Sequence, residues 1–429
     1  MISINQKMVD HLPGSGDINR TVLSNGITLL TRYHPDSPSI VINGYLSSGS
    51  LYDPQGKQGR AHFLAASLLR GTKKKNFQEI YNTLESMGAS LMFGASVHST
   101  SFGGRALCED LSSLVNLLAE GLQEPVFPTD QIERLRAMML SSLAIRAQDT
   151  GSMASMIFDR HIFKDHPYGL PEDGFLETIQ AITREDLVEG HARYFGPRNM
   201  VLVVTGGVAA DQVRRILEDY LGNWQNADQA AEITLTAPVT PQCEIREHIE
   251  IPGKSQTDIV MGNSGLKRSS DDYFAASLAN NILGQFGMMG RIGYAVREQA
   301  GLAYYASSSM NASMSAGSWE VDAGVNPANV NQAIALIKQE IERFITEGVT
   351  NEELEESQAN FIGRLPLSME SNQGVAGAMI NMERFQLGLD YYRTFPAAIA
   401  AVTREEVREV AERYLNPDKM VIVSAGVSG

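Results

Sequence analysis

Apolar positions recur along this chain with two periods, and the alternation between them repeats. In FQEIYNTLESMG (77–88) Phe77, Ile80, Leu84 and Met87 share one helical face, and Gly88 supplies the stop. DLSSLVNLLAEGL (110–122) predicts a strongly apolar helix opened by Asp110. NGITLLTRYHP (25–35), PSIVINGYLSSGS (38–50) and ASLMFGASVHSTSFGGRAL (89–107) carry strand-like runs broken at Pro and Gly. After residue 243 the order resumes: EIREHIEIPGKSQTDIVMGNSG is strand-like, and helices are predicted over 273–283 and 329–347. Residues 181–206 and 401–426 align without a gap at a constant offset of 220. Thr183/Thr403, Arg184/Arg404, Glu185/Glu405, Tyr194/Tyr414, Pro197/Pro417, Met200/Met420 and Gly206/Gly426 are identical pairs. Each copy opens with a Thr N-cap and acids in the first turn, runs as an amphipathic helix to Tyr, turns at Pro, and ends in a β-branched strand.

An offset near half the chain length predicts two tandem copies of one domain, not a short-period solenoid. The expected architecture is α+β: two homologous α/β domains, each a mainly antiparallel sheet with helices packed on one face. The polar, proline-punctuated stretch 222–243 is the expected linker between domains 1–221 and 244–429.

Composition narrows the function. The 429 residues, 43% hydrophobic and 20% charged, suit an ordinary folded protein of two or three domains. A net charge of −15 argues against a protein that grips nucleic acid or an anionic membrane. Cys108 and Cys243 lie far apart, so they form neither a disulfide framework nor a thiolate metal site, and two reduced, buried thiols are expected. The start MISINQKMVDHLPGSGD has no signal-peptide pattern, no apolar run is long enough to span a bilayer, and a cytoplasmic location is expected. GQFGMMG (284–290) is not a phosphate loop, and no GxSxG elbow is present. Lone histidines such as His11, His34 and His191 are expected on the surface or satisfied in the core.

The informative stretch is Gly59 to Thr72, GRAHFLAASLLRGT. It resembles the zinc helix of the pitrilysin/insulinase peptidases, the inverzincins, which carry H-x-x-E-H within G-x-A-H-F-L-E-H-M-L-F-K-G-T. Gly59, Ala61, His62, Phe63, Leu64, Leu68, Gly71 and Thr72 match. Where the family has its catalytic Glu this chain has Ala65, and where it has the second zinc His it has Ala66. The third ligand of the family is a Glu in an IERERxxILxE pattern; IERLRAMMLSSL (132–143) puts Ser142 there, 76 residues past Ala66, and Leu135 replaces the supporting Glu. Only His62 of the metal set survives. A catalytic zinc takes three protein ligands and a water, and one imidazole cannot hold it. The resemblance therefore implies no cofactor in this chain and no general base for an attacking water.

HPYG (166–169) with the segment after it extends the resemblance through the first half. NNILGQFGMMGRIGYAVREQAGLAYYASS (280–308) extends it into the second, where it is similar to the family's NxxLGxGxxSRLFxxVREKxGLAYxVxS. In that family an Arg and a Tyr separated by six residues reach over the zinc site, and the matching residues here are Arg297 and Tyr304. A guanidinium fork can bond a substrate carbonyl, and a phenol can donate to a tetrahedral oxyanion. The plainer roles are a helix C-terminal cation for Arg297 and strand packing for Tyr304; Tyr305 is expected in the core on the other strand face. LMFGASVHST (91–100) is expected as an edge strand, with Met92 and Phe93 in place of the family's polar clamp and with His98 structural.

The resemblance implies a non-catalytic subunit of a heterodimeric zinc metallopeptidase. Arg297 and Tyr304 would serve a zinc-bearing homologous partner that hydrolyses peptides. The alternatives are a structural or peptide-binding scaffold, as a homodimer, and an active peptidase with a rearranged metal site.

Overall fold

Both copies of the repeat build the same unit. In the computed structural model, which describes residues 6–428, Thr183 and Thr403 open the helices Arg184–Tyr194 and Arg404–Tyr414. Each threonine hydroxyl accepts the amide of an acid three residues on, Asp186 or Glu406, at 3.2 Å. Each acid returns a bond to the threonine amide at 2.7 Å, a reciprocal capping box. Arg184 and Arg404 reach the carbonyls of Phe127 and Val349, in the loops before two long helices, Thr129–Arg146 and Asn351–Ser368. The shared Thr-Arg-acid opening thus fixes both the helix start and its anchor.

The first sheet contains β1 (Asn19–Val22), β2 (Thr28–Tyr33), β3 (Ser39–Leu46), β4 (Ser90–Ala95), β5 (Thr100–Leu107) and β6 (Val201–Gly206), in the order β1-β2-β6-β3-β5-β4. The second contains β7 (Ile245–Glu250), β8 (Thr257–Gly265), β9 (Ala303–Ala312), β10 (Gly317–Val325) and β11 (Val421–Gly426), in the order β7-β11-β8-β10-β9. Apart from β1 the two orders are equivalent. Each sheet has one parallel pair, β2 with β6 and β7 with β11, and is otherwise antiparallel. Strands β6 and β11, which end the two repeats, are interior strands buried along their whole length. The stretch 222–243 carries no helix or strand.

Period-two alternation sorts each strand's side chains onto two faces. Leu29, Ile40, Ile42, Leu202 and Val204 join helices of the first half in one core. Leu30, Val41, Val201 and Val203 face the other way, against Val375, Ala376, Met379 and Met382 of the helix Asn372–Arg384, which belongs to the second half. The second sheet mirrors this. Ile259, Met261, Val321 and Ile422 meet second-half helices, and Val260, Val421, Val423 and Ala425 meet Ala154, Ile157, Phe158 and Ile162 of the first-half helix Thr150–Ile162. Each half therefore places its own helices on one face of its sheet and lends one helix to the far face of the other sheet.

Four local expectations change. The run 91–100 is not one strand: β4 ends at Ala95, a turn holds His98, and β5 starts at Thr100. Asp110 makes no side-chain cap, because the chain first forms a 3-10 turn over Cys108–Asp110. The helix expected over 290–300, ending at Gly301, is instead the helix Phe286–Gly293 followed by a π turn over Tyr294–Gln299. Cys243 is exposed where the polar linker ends; Cys108 is half-buried, its Sγ 3.4 Å from the Ser37 carbonyl.

Candidate functional site

The helix Arg60–Ser67 is set by its N-terminus. Gly59 has φ +92, and a Cβ there would meet the Asp173 carbonyl oxygen at 2.8 Å, so only glycine serves. Asp53 accepts the amides of Gly59 and Ala61, each at 2.9 Å, and its Oδ1 lies 3.8 Å from Arg60 Nε. Burial pushes the Asp53 carboxyl up, to about 7, against the pull of those amides and of Arg60. Arg60 also donates to the Tyr52 carbonyl at 2.6 Å and stacks over Tyr194.

On this helix His62 and Ala66, four residues apart, are half-buried, while Ala65 is buried. Burial lowers the His62 pKa, and Asp173 partly opposes that shift. On the helix Thr129–Arg146, Leu135 is buried in the core and Arg136 stacks over Phe63. Ser142 is exposed, flanked by the exposed Met138 and Ile145. One turn on, Arg146 is paired with Asp173 and donates to the Gly174 carbonyl at 2.8 Å. The carboxylate that influences His62 is thus already engaged by a guanidinium.

Arg297 and Tyr304 both stand on irregular backbone. Arg297 lies in the π turn, where the Ala300 amide bonds the Ala295 carbonyl at 3.2 Å and the Leu302 amide bonds the Val296 carbonyl at 3.0 Å. Gly301, at φ +61, then reverses the chain into β9. In the β9–β10 ladder Ala303 pairs with Val325 and Tyr305 with Gly324, so Tyr304 is the extra residue of a β-bulge. Tyr304 is 66% exposed; Tyr305 is half-buried and donates to Asp258 Oδ1 at 2.8 Å. Arg297 has Glu298 beside it at 3.6 Å. These two residues are singled out by the resemblance of 280–308 to the family motif; no propensity signal announced the bulge or the π turn. Both kinds of irregularity re-aim side chains and recur at functional sites.

Comparison with known proteins agrees in both halves. The model for Insulinase (Peptidase family M16) matches residues 29–169, and that for the Peptidase M16 inactive domain matches 181–361. The chain belongs to peptidase family M16. Among M16 relatives, an uncharacterized zinc protease of Streptomyces coelicolor is 24% identical over 421 residues, covering 96% of this chain and 90% of that protein. The mitochondrial-processing peptidase subunit beta of Saccharomyces cerevisiae is 25% identical over 370 residues, covering 82% and 79%. The crystal structure of a peptidase M16 inactive domain from Pseudomonas fluorescens superposes with a TM-score of 0.89 at 26% identity, covering 96% of this chain and 98% of that one. A protease from Helicobacter pylori shares the fold, with a TM-score of 0.88 at 20% identity, covering 97% and 100%.

The M16 name raises the question of zinc. By the register of the resemblance, the three metal positions hold one imidazole, one methyl group and one hydroxyl, with a second methyl group, Ala65, in place of the general base. Among the described residues no group of three or more His, Cys, Asp or Glu is arranged to hold a metal ion. That donor set does not fit zinc, which needs three ligands of nitrogen, sulfur or carboxylate type. His98, expected to be structural, has its Nε2 2.6 Å from the Tyr168 hydroxyl, and Tyr168 donates to Ser313 at 3.2 Å. No helix of the described residues is long and apolar enough to cross a membrane.

Proposed function

We propose that this chain is the non-catalytic subunit of a heterodimeric zinc metallopeptidase. It lends Arg297 and Tyr304 to a composite site, and a homologous partner chain brings the zinc, the metal ligands and the general base for peptide hydrolysis. The observation that carries this reading is a contrast. Ala65, Ala66 and Ser142 stand where the family's base and ligands belong, yet Arg297 and Tyr304 keep the family spacing, and Tyr304 is 66% exposed on a bulge. An exposed phenol without a structural partner adds little to stability and is available to another molecule.

In the composite site the planar guanidinium of Arg297 would hold a substrate carbonyl, and the Tyr304 hydroxyl would donate to the oxyanion as it develops. Zinc in the partner would supply Lewis acidity and the activated water. The yeast relative is named as a subunit, and this supports a multichain assembly.

The test is peptide cleavage by the purified chain alone, by a homologue with an intact H-x-x-E-H encoded beside it, and by the mixture, with metal content measured on each. Cleavage by the mixture alone, lost with Arg297→Ala, is expected. Cleavage and stoichiometric zinc in the isolated chain would overturn the reading. Silence with every partner would leave a scaffold or peptide-binding role.

A further inference from the structure

A cavity of about 820 Å³ lies where the first sheet, the linker and the second half meet. Its walls come from the ends of β2, β3 and β6, from linker residues 232–237, from the β9–β10 turn, and from the end of the helix Asn372–Arg384. None of His62, Ser142, Arg297 and Tyr304 lines it.

Its charges are unevenly satisfied. Glu383 takes Arg20 in a two-pronged ion pair at 2.8 and 3.1 Å. Glu232 accepts Ser47 at 2.6 Å and Asn199 at 3.3 Å. Arg384, by contrast, like Lys267 on the same wall, has no carboxylate partner among the described residues. Its guanidinium lies over the Tyr45 ring, 4.4 Å from the centroid, and one nitrogen donates to Ser99 Oγ at 3.2 Å. It bonds none of the last carbonyls of its own helix, the usual role of an arginine at a helix end. Tyr45 and Ser99 hold the guanidinium in place, and none of its N–H groups meets a carboxylate among the described residues, a setting that suits a planar carboxylate. Burial works against the charge, and an anion would relieve it. Leu51, Val201, Ile233, Leu235 and Met314 form the apolar part of the wall. The volume is that of a small-molecule site.

We propose that this cavity binds a small organic carboxylate with an apolar tail, its carboxylate held by Arg384. The C-terminus of a short peptide and a fatty acid share this chemistry.

The experiment is calorimetric titration of the full chain with acetyl-leucine, acetyl-leucinamide, octanoate and inorganic phosphate. Millimolar or tighter binding of a carboxylate is expected, with the amide about tenfold weaker or worse. Acetyl-leucine without octanoate supports a peptide terminus as the source, and octanoate without acetyl-leucine supports a fatty acid. Arg384→Gln should weaken the carboxylate about ten- to hundredfold and leave the amide unchanged. Because that variant could loosen the fold, Ala237→Trp, at an exposed linker position on the cavity wall, provides a second test. Its indole should obstruct part of the cavity and weaken binding at least about tenfold with Tm unchanged. No carboxylate binding, equal binding of acid and amide, binding of phosphate alone, or binding that survives both variants would overturn the proposal.

Discussion

Adjacent tyrosines on β9 have opposite surroundings, so replacing each by phenylalanine separates chemistry from stability. Tyr304 is 66% exposed, whereas Tyr305 is half-buried and bonds Asp258 at 2.8 Å. Tyr304→Phe should lower peptide cleavage by the paired chains about 10²- to 10³-fold, the usual loss when one oxyanion donor is removed, and should leave Tm unchanged. Tyr305→Phe should do the reverse: activity kept, and about 1 kcal/mol of stability lost in denaturant titration. The metal positions allow a test in the other direction. Ala66→His and Ser142→Glu together, beside His62, should bring stoichiometric zinc uptake, read by elemental analysis of the folded chain, whereas Ala66→His alone should not. Equal zinc in the unaltered chain would contradict the donor argument. The assignment of Ala66 and Arg297 to family positions rests on the flanking motifs, which set their register in the sequence. The bulge under Tyr304 and the Arg146–Asp173 pair were not legible there, since both depend on groups brought together by the fold.

The helices Thr150–Ile162 and Asn372–Arg384 each pack one half onto the sheet of the other, and neither is among the helices expected from the sequence. Periodicity says that Ile157 and Phe158 must be buried; it does not say against which sheet. The repeated helix-strand units were legible because their caps and core strands are local. Phe158→Ala should cost about 3–5 kcal/mol, because it empties a fully buried site between the lent helix and the second sheet. The same interface carries acids. Asp159 on the helix faces Glu320 and Asp322 on β10, with Asp258 on β8 and Glu172 close by. Tyr305 and Thr150 donate to Asp258, and Asn311 donates to Glu320. Burial first and mutual repulsion second push Asp322 up to about 6, Asp159 to about 7 and Glu320 to about 8. Unfolded, these carboxyls titrate near 3.8 to 4.5, so across the interval the native chain holds more protons than the unfolded one. Their contribution to stability is therefore complete below about pH 4 and lost as pH rises through about 6 to 8. Asp322→Asn should change Tm little relative to the unaltered chain below about pH 4, and its gain should grow up to about pH 6 and then level off. A gain that does not change with pH would show that Asp322 is not titrating there.

At the scale of the whole molecule, the exchange of helices makes each half depend on the other. Without Asn372–Arg384, the first sheet would expose Leu30, Val41, Val201 and Val203, and without Thr150–Ile162 the second would expose Val260, Val421, Val423 and Ala425. Contiguous apolar faces of that kind drive association or prevent a fixed fold. The connecting stretch 222–243, by contrast, carries no helix or strand, and its ties to the first half end at Thr236. Trp224 is buried in that core, Asn226 donates to the Ala192 and Phe195 carbonyls at 2.8 Å, and Gln229 and Arg198 exchange bonds at 3.1 Å. Beyond Thr236 no hydrogen bond joins it to that half among the described residues. The covalent link should therefore matter less than the two lent helices. A single cut between residues 237 and 243 should leave the pieces together as one particle in size-exclusion chromatography, unfolding in one transition, because the helices still cross. Residues 1–243 expressed alone should bind a hydrophobic dye and lack a sharp thermal transition, and adding residues 244–429 should restore both. If 1–243 folds cooperatively alone, the far face of its sheet does not need the lent helix, and the halves are independent domains joined by a tether.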